Sequence, residues 1–154
     1  MQISQNGIDL IKSFEGLELT AYPDPASGGE PWTIGYGSTA NVAPGMTITL
    51  QEADTMLLAV LQSTVTAVND VIDTTVSQNQ FDAMVSFTYN LGAGNLRQSS
   101  MLRLTNDGNF SAAADAFLLW DQASGSFNQG IYNRRQKERA LYLTPDGIEP
   151  IAVS

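Results

Sequence analysis

Two carboxylates near the start of the chain, Glu15 and Asp24, are the side chains best suited to chemistry. The reason begins with what the sequence lacks. It has no cysteine and no histidine, which removes disulfides, thiolate chemistry, most zinc sites and every histidine-dependent nucleophile scheme. Proton transfer near neutral pH then falls to carboxylates, with lysine, tyrosine or the N-terminal amine behind them. Glu15 stands at the expected end of a helix, where the partial negative charge of the helix terminus favours a protonated carboxyl. Such a group suits proton donation to a leaving oxygen. Asp24 lies between Pro23 and Pro25 on a loop and should stay hydrated and ionised. One protonated and one ionised carboxyl match the division of labour in glycoside hydrolysis. The same residues also read as a solvated helix-end acid and a turn former, both common uses of Glu and Asp.

The elements that must position this pair are legible as patterns. A helix is expected from about Ser4 to Phe14, with Ile8, Ile11 and Phe14 near one face, Ser4 as N-cap and Gly16 as C-cap. Leu17, Leu19 and Ala21 lead to Tyr22, and the run from Pro23 to Gly29 reads as a loop. Trp32, Ile34 and Tyr36 then alternate with Thr33, Gly35 and Gly37, giving a hairpin or a three-stranded sheet. Residues 41–47 form a linker. Thr49 with Glu52 is a capping box that opens a long helix through Leu50, Ala53, Leu57, Leu58, Leu61, Val65, Val68 and Ile72. Ser77 with Gln80 is a second box, opening a helix through Phe81, Met84, Val85 and Phe87 toward Leu91-Gly92. Shorter helices are expected near residues 100–104, 111–120 and 131–142, with Gly108, Gly125 and Gly130 between them. The fold class is α+β and mostly helical, with strands confined to the N-terminal part. A small N-terminal lobe is joined by the long helix to a helical C-terminal lobe.

Composition sets outer bounds. A chain of 154 residues can bury one core or two small lobes, so a single domain over 1–154 is expected. The hydrophobic share of 43% fits a globular protein and excludes a disordered one. No apolar stretch is long enough to span a bilayer. The first residues, Met1-Gln2-Ile3-Ser4-Gln5-Asn6, carry neither a basic nor an apolar signal region, so residence in the cytoplasm is expected. The net charge of -9 argues against nonspecific nucleic-acid or anionic-membrane binding. Arg134, Arg135, Lys137 and Arg139 nevertheless crowd one short stretch and could give a local positive field.

Three regions of the chain carry a resemblance. Phe14-Glu15-Gly16-Leu17, Ala21-Tyr22-Pro23-Asp24 and Trp32-Thr33-Ile34-Gly35-Tyr36-Gly37 together resemble the catalytic hairpin of the phage-type lysozymes, also called endolysins or muramidases, family twenty-four of the glycoside hydrolases. Gln80-Phe81-Asp82-Ala83 and Phe87-Thr88-Tyr89-Asn90-Leu91-Gly92-Ala93-Gly94 resemble that family's central helix and following turn. Residues 112–120 and 130–141, including Asn133-Arg134-Arg135, resemble its last helices. The likeness runs in order almost to Pro145. It implies a lysozyme-like fold, with the catalytic hairpin at about 15–40 and the helical lobe at about 77–145.

The resemblance implies roles residue by residue. Glu15 matches the general acid, Asp24 the carboxylate that orients or deprotonates the attacking water, and Thr33 the threonine that helps hold that water. Tyr89 and Asn90 match positions that contact sugar rings, Ser100 another such position, and Arg134 an arginine that pairs with the catalytic glutamate. Arg135 reads as part of a solvated helix start with weak surface ion pairs. The implied reaction is inverting hydrolysis of the β-1,4 bond between N-acetylmuramic acid and N-acetylglucosamine in peptidoglycan, leading to host cell lysis. Inversion calls for carboxyls roughly 6.5–9.5 Å apart. No metal or organic cofactor is implied, the default state is a monomer, and the product would wait in the host cytoplasm until released to the wall. Two departures stand out. Eight residues separate Asp24 from Thr33 where the family usually has five, which puts Glu30 near the mouth of the site. Ser38 stands where the family commonly has histidine. The competing readings are a lytic transglycosylase, which works with a lone glutamate, and a noncatalytic glycan-binding or phage structural module.

Overall fold

The patterned segments become seven α-helices and two antiparallel hairpins among residues 1–147, the part of the chain described by the computed structural model. In order these are α1 (Gln5–Phe14), β1 (Glu18–Tyr22), β2 (Thr33–Gly35), α2 (Leu50–Val71), α3 (Gln78–Leu91), α4 (Ala93–Gln98) and α5 (Ser100–Asn106). They continue with α6 (Phe110–Ala116), a 3-10 turn (Phe117–Leu119), β3 (Gln122–Ala123), β4 (Ser126–Phe127) and α7 (Gln129–Leu143). The chain divides into two compact units, one formed by Ile11–Ser63 and the other by Met1–Leu10 with everything from Thr64 onward.

In the Ile11–Ser63 unit, β1 and β2 pair antiparallel with Glu18 opposite Gly35 and Tyr22 opposite Thr33. Between these pairs three residues of β1 face one of β2, and the irregularity bends the ribbon. The end of the linker and Ile48 add a third, rudimentary rung along β1: Ala21 N–H donates to Met46 (2.9 Å) and Ile48 N–H to Leu19 (2.9 Å). Both forms expected from the sequence are therefore present in part. Ile11, Ile34, Tyr36, Ile48, Ala53, Leu57 and Leu61 are buried and form this unit's core. On α2 the buried stripe keeps helical spacing, while Leu50 and Leu58 turn outward. The helix opens on the expected capping box, with Thr49 N–H donating to Glu52 and Glu52 N–H to the Thr49 hydroxyl, both at 3.1 Å.

The other unit is built around α3, which is buried at every position from Phe81 to Thr88, as suits a helix packed on all sides. Its capping box forms as expected, with the Ser77 hydroxyl accepting from Gln80 N–H and Gln80 accepting from Ser77 N–H. Asp146 closes the same terminus by accepting from the N–H groups of Gln78 and Asn79, each at 3.0 Å. The Phe87 ring meets Phe117 and Trp120 edge to face at 5.7 Å, and Phe117 meets Tyr142 at 5.3 Å. Each such pair contributes about 0.5–1.5 kcal/mol beyond area burial.

Four expectations are corrected. Strands are not confined to the N-terminal part: β3 and β4 form a second hairpin across Ser124 (φ 52°) and Gly125 (φ 79°), a two-residue turn with both residues left-handed. α4 occupies the segment after Gly92 where the resemblance implies a turn. The Ser4 hydroxyl is engaged with the buried Asp82 of α3, which also accepts from Ser4 N–H at 3.1 Å, so its role ties the chain's start to α3. Finally, Gly16 is not among the residues with positive φ, so α1 does not end on a left-handed glycine.

Candidate active site

Glu15, Asp24 and Thr33 all belong to the Ile11–Ser63 unit. Glu15 follows directly on α1, and its N–H still donates to Ile11 at 3.2 Å, so the carboxylate leaves from a fixed helical backbone. Opposite it stands the turn after β2. Ile34 and Ser38 exchange two backbone hydrogen bonds of 2.9 Å and draw Gly35, Tyr36 and Gly37 into a tight loop. Gly37 has φ 94°, and a Cβ built there would lie 3.8 Å from the Glu15 Oε2 atom. The acid therefore rests against bare glycine backbone. Tyr36, buried beside it in sequence, carries the Lys12 ammonium 5.4 Å from its ring centre, and Lys12 also pairs with Asp54 at 2.8 Å. These contacts tie the last turn of α1 to the glycine loop and to α2. Ser38 contributes through its backbone, a role that any side chain at that position would allow.

Asp24 lies two residues past Tyr22, the partner of Thr33 in the hairpin, so both stand at the mouth of the same ribbon. The longer connection does not push them apart. Asp24 N–H donates to Gly29 (2.9 Å) and Gly28 N–H donates to Asp24 (2.8 Å), which closes the additional residues into their own small loop. Ser27 supports that loop by donating to the Glu30 carbonyl at 2.7 Å. Asp24 is half-buried, and its carboxylate has no hydrogen-bond or ion-pair partner among the described residues. Among the described residues the Thr33 hydroxyl reaches only the Pro31 carbonyl, at 3.5 Å, the outer limit of a hydrogen bond. Its lone pairs remain available as acceptors.

Tyr89, Asn90, Ser100 and Arg134 belong to the other unit. Tyr89 is half-buried and Asn90 exposed, on the last turn of α3. Ser100 opens α5 and lines a pocket of about 580 Å³ with Leu91, Asn95, Arg103, Trp120 and Gln122. Arg134 is 7% exposed; its Nη2 donates to the Ser86 carbonyl at 3.3 Å and its Nε to Glu138 at 3.4 Å. Arg135 overturns the expectation of a solvated side chain, since it is fully buried. Its Nε stands 2.7 Å from Glu138, its guanidinium 5.2 Å from the Phe87 ring centre, and its Nη2 donates to Asn90 Oδ1 at 2.7 Å. Glu138 is itself fully buried and accepts from the Ser86 hydroxyl at 2.6 Å. Burial pushes the Glu138 carboxyl up, against the pull of Arg135, Arg134 and Ser86, and burial lowers Arg135 against the pull of Glu138. Arg139 pairs with Asp115 at 2.9 Å, so Arg134, Arg135 and Arg139 are all engaged with carboxylates. Sequence reasoning missed Ser86 and Glu138, whose pairing only the fold brings about, and read the buried Arg135 as solvated.

The phage lysozyme family model matches residues 12–138. The chain belongs to that family. It is 47% identical, over 92% of its length, to the endolysin of Bacillus phage PZA, and it spans 55% of that relative, about half. A solved structure of a mutant P22 lysozyme superposes with a TM-score of 0.85 at 42% identity, covering 94% of this chain and 99% of that one. The muramidase domain of SpmX from Asticaccaulis excentricus gives a TM-score of 0.82 at 40% identity, with the same coverage of 94% and 99%. The fold is a lysozyme fold. Among the described residues no cluster of three or more metal-binding side chains occurs, and no helix is long and apolar enough to cross a membrane.

Proposed function

We propose that the chain hydrolyses the glycan strands of bacterial peptidoglycan, cutting the β-1,4 bond between N-acetylmuramic acid and N-acetylglucosamine with inversion, and so lyses the cell. The main support is that Glu15, Asp24 and Thr33 lie inside the family match and on one small hairpin unit. Glu15 donates its proton to the glycosidic oxygen as the bond to the anomeric carbon breaks. Asp24 takes a proton from a water attacking the opposite face of the ring and stabilises the developing oxocarbenium charge. Thr33 accepts a hydrogen bond from that water and fixes its approach. Tyr89, Asn90, Ser100 and Arg134 contact the glycan. One water is consumed, and each cut leaves a new reducing end and a free hydroxyl.

Mass spectrometry of products from purified peptidoglycan separates this reading from its nearest rival. Reducing-end muropeptides are expected; 1,6-anhydro products would mean a lytic transglycosylase. Proton NMR of the first product should show the α-anomer released from a β-linked substrate. Asp24→Asn should lose most activity while Tm stays close to that of the parent, and a fully active Asp24→Asn would sink the two-carboxylate scheme.

A further inference from the structure

Resting on that reading, we propose that Arg135 is a positioning residue for substrate: it fixes the side-chain amide of Asn90 so that the NH2 group, and not the carbonyl oxygen, faces outward as a donor to the glycan. A guanidinium has only donors, so the atom of Asn90 that meets it at 2.7 Å must be the carbonyl oxygen. An unrestrained surface amide would turn freely and offer either polarity. Here the turn is blocked, because Arg135 cannot move. It is fully buried, held by Glu138 at 2.7 Å and set over the Phe87 ring, while Glu138 is anchored by the Ser86 hydroxyl. A rigid buried cation thus sets the polarity of an exposed amide. The outward donor suits an acceptor on the substrate, and the acetamido carbonyl of an N-acetylated sugar is the acceptor that distinguishes this glycan from an unmodified one.

The test uses Asn90→Asp, which keeps a partner for Arg135 yet leaves only acceptors facing outward. On purified peptidoglycan its KM should rise about fivefold, the worth of one hydrogen bond, with the loss falling mainly in KM rather than kcat. On de-N-acetylated peptidoglycan the difference from the parent protein should shrink or vanish, because the acceptor is gone. Arg135→Lys keeps a cation beside Glu138 but lacks the planar fork that spans Glu138 and Asn90 together. Its KM should rise in the same direction, and it should add no further rise when combined with Asn90→Asp. An unchanged KM in Asn90→Asp, an equal defect on both walls, or an Arg135→Lys that loses only Tm would overturn the positioning role. Failure of the parent protein to release any saccharide would instead overturn the hydrolase reading on which it rests.

Discussion

At Gly37 the backbone holds φ 94°, a conformation that costs an L-residue roughly 1–2 kcal/mol. The acid Glu15 lies against that bare position, so Gly37→Ala should lower stability by about that amount. It should also slow hydrolysis, since relief of the strain moves the loop that backs the acid; thermal melts and wall-clearing rates on the same sample check both. Glu138 makes a second case. Its carboxylate lies within ion-pair distance of both Arg134 and Arg135. Glu138→Gln removes the charge that the fully buried Arg135 meets at 2.7 Å and should cost about 3–5 kcal/mol by denaturant unfolding. Neither residue could be singled out by sequence. Gly37 looks like any strand-end glycine, and a buried glutamate at 138 looks like an exposed one until Ser86 is brought to it by the fold.

Elements whose signals are local were read well. The two capping boxes need only four consecutive residues each, and both Thr49–Glu52 and Ser77–Gln80 form as written. Ser77→Ala should destabilise the protein by about 1 kcal/mol. The loss should stay small, because Asp146 still accepts two N–H groups of the same terminus; removal of both side chains should cost more than the sum of the single changes. A melt of the single and double variants decides this. The elements that were missed are short. The two-residue strands β3 and β4 carry no alternation to detect, and α4 spans six residues without a side-chain cap. The hairpin that bears Asp24 and Thr33 was legible by alternation, whereas the closure of its long loop rests on backbone hydrogen bonds between Asp24, Gly28 and Gly29 that no side-chain pattern announces.

For the whole molecule, charge is the property that composition alone made visible, and the fold sharpens it. The net charge is -9, and the C-terminal cations that might have offset it locally are mostly paired with Glu138 and Asp115. Approach to an anionic wall should therefore be repelled at low salt. Raising ionic strength from about 0.01 M to about 0.15 M shortens the screening length from roughly 30 Å to roughly 8 Å, so wall hydrolysis should accelerate over that range. A neutral soluble oligosaccharide should show no such gain, and equal salt responses on both substrates would mean that charge plays no part. The measurement closest to the chemistry is reducing-end release from purified peptidoglycan by Glu15→Gln, with its fold verified by circular dichroism. Loss of the general acid should slow release by at least about 10²- to 10⁴-fold; release at the parent rate would contradict the assignment of Glu15 as the acid.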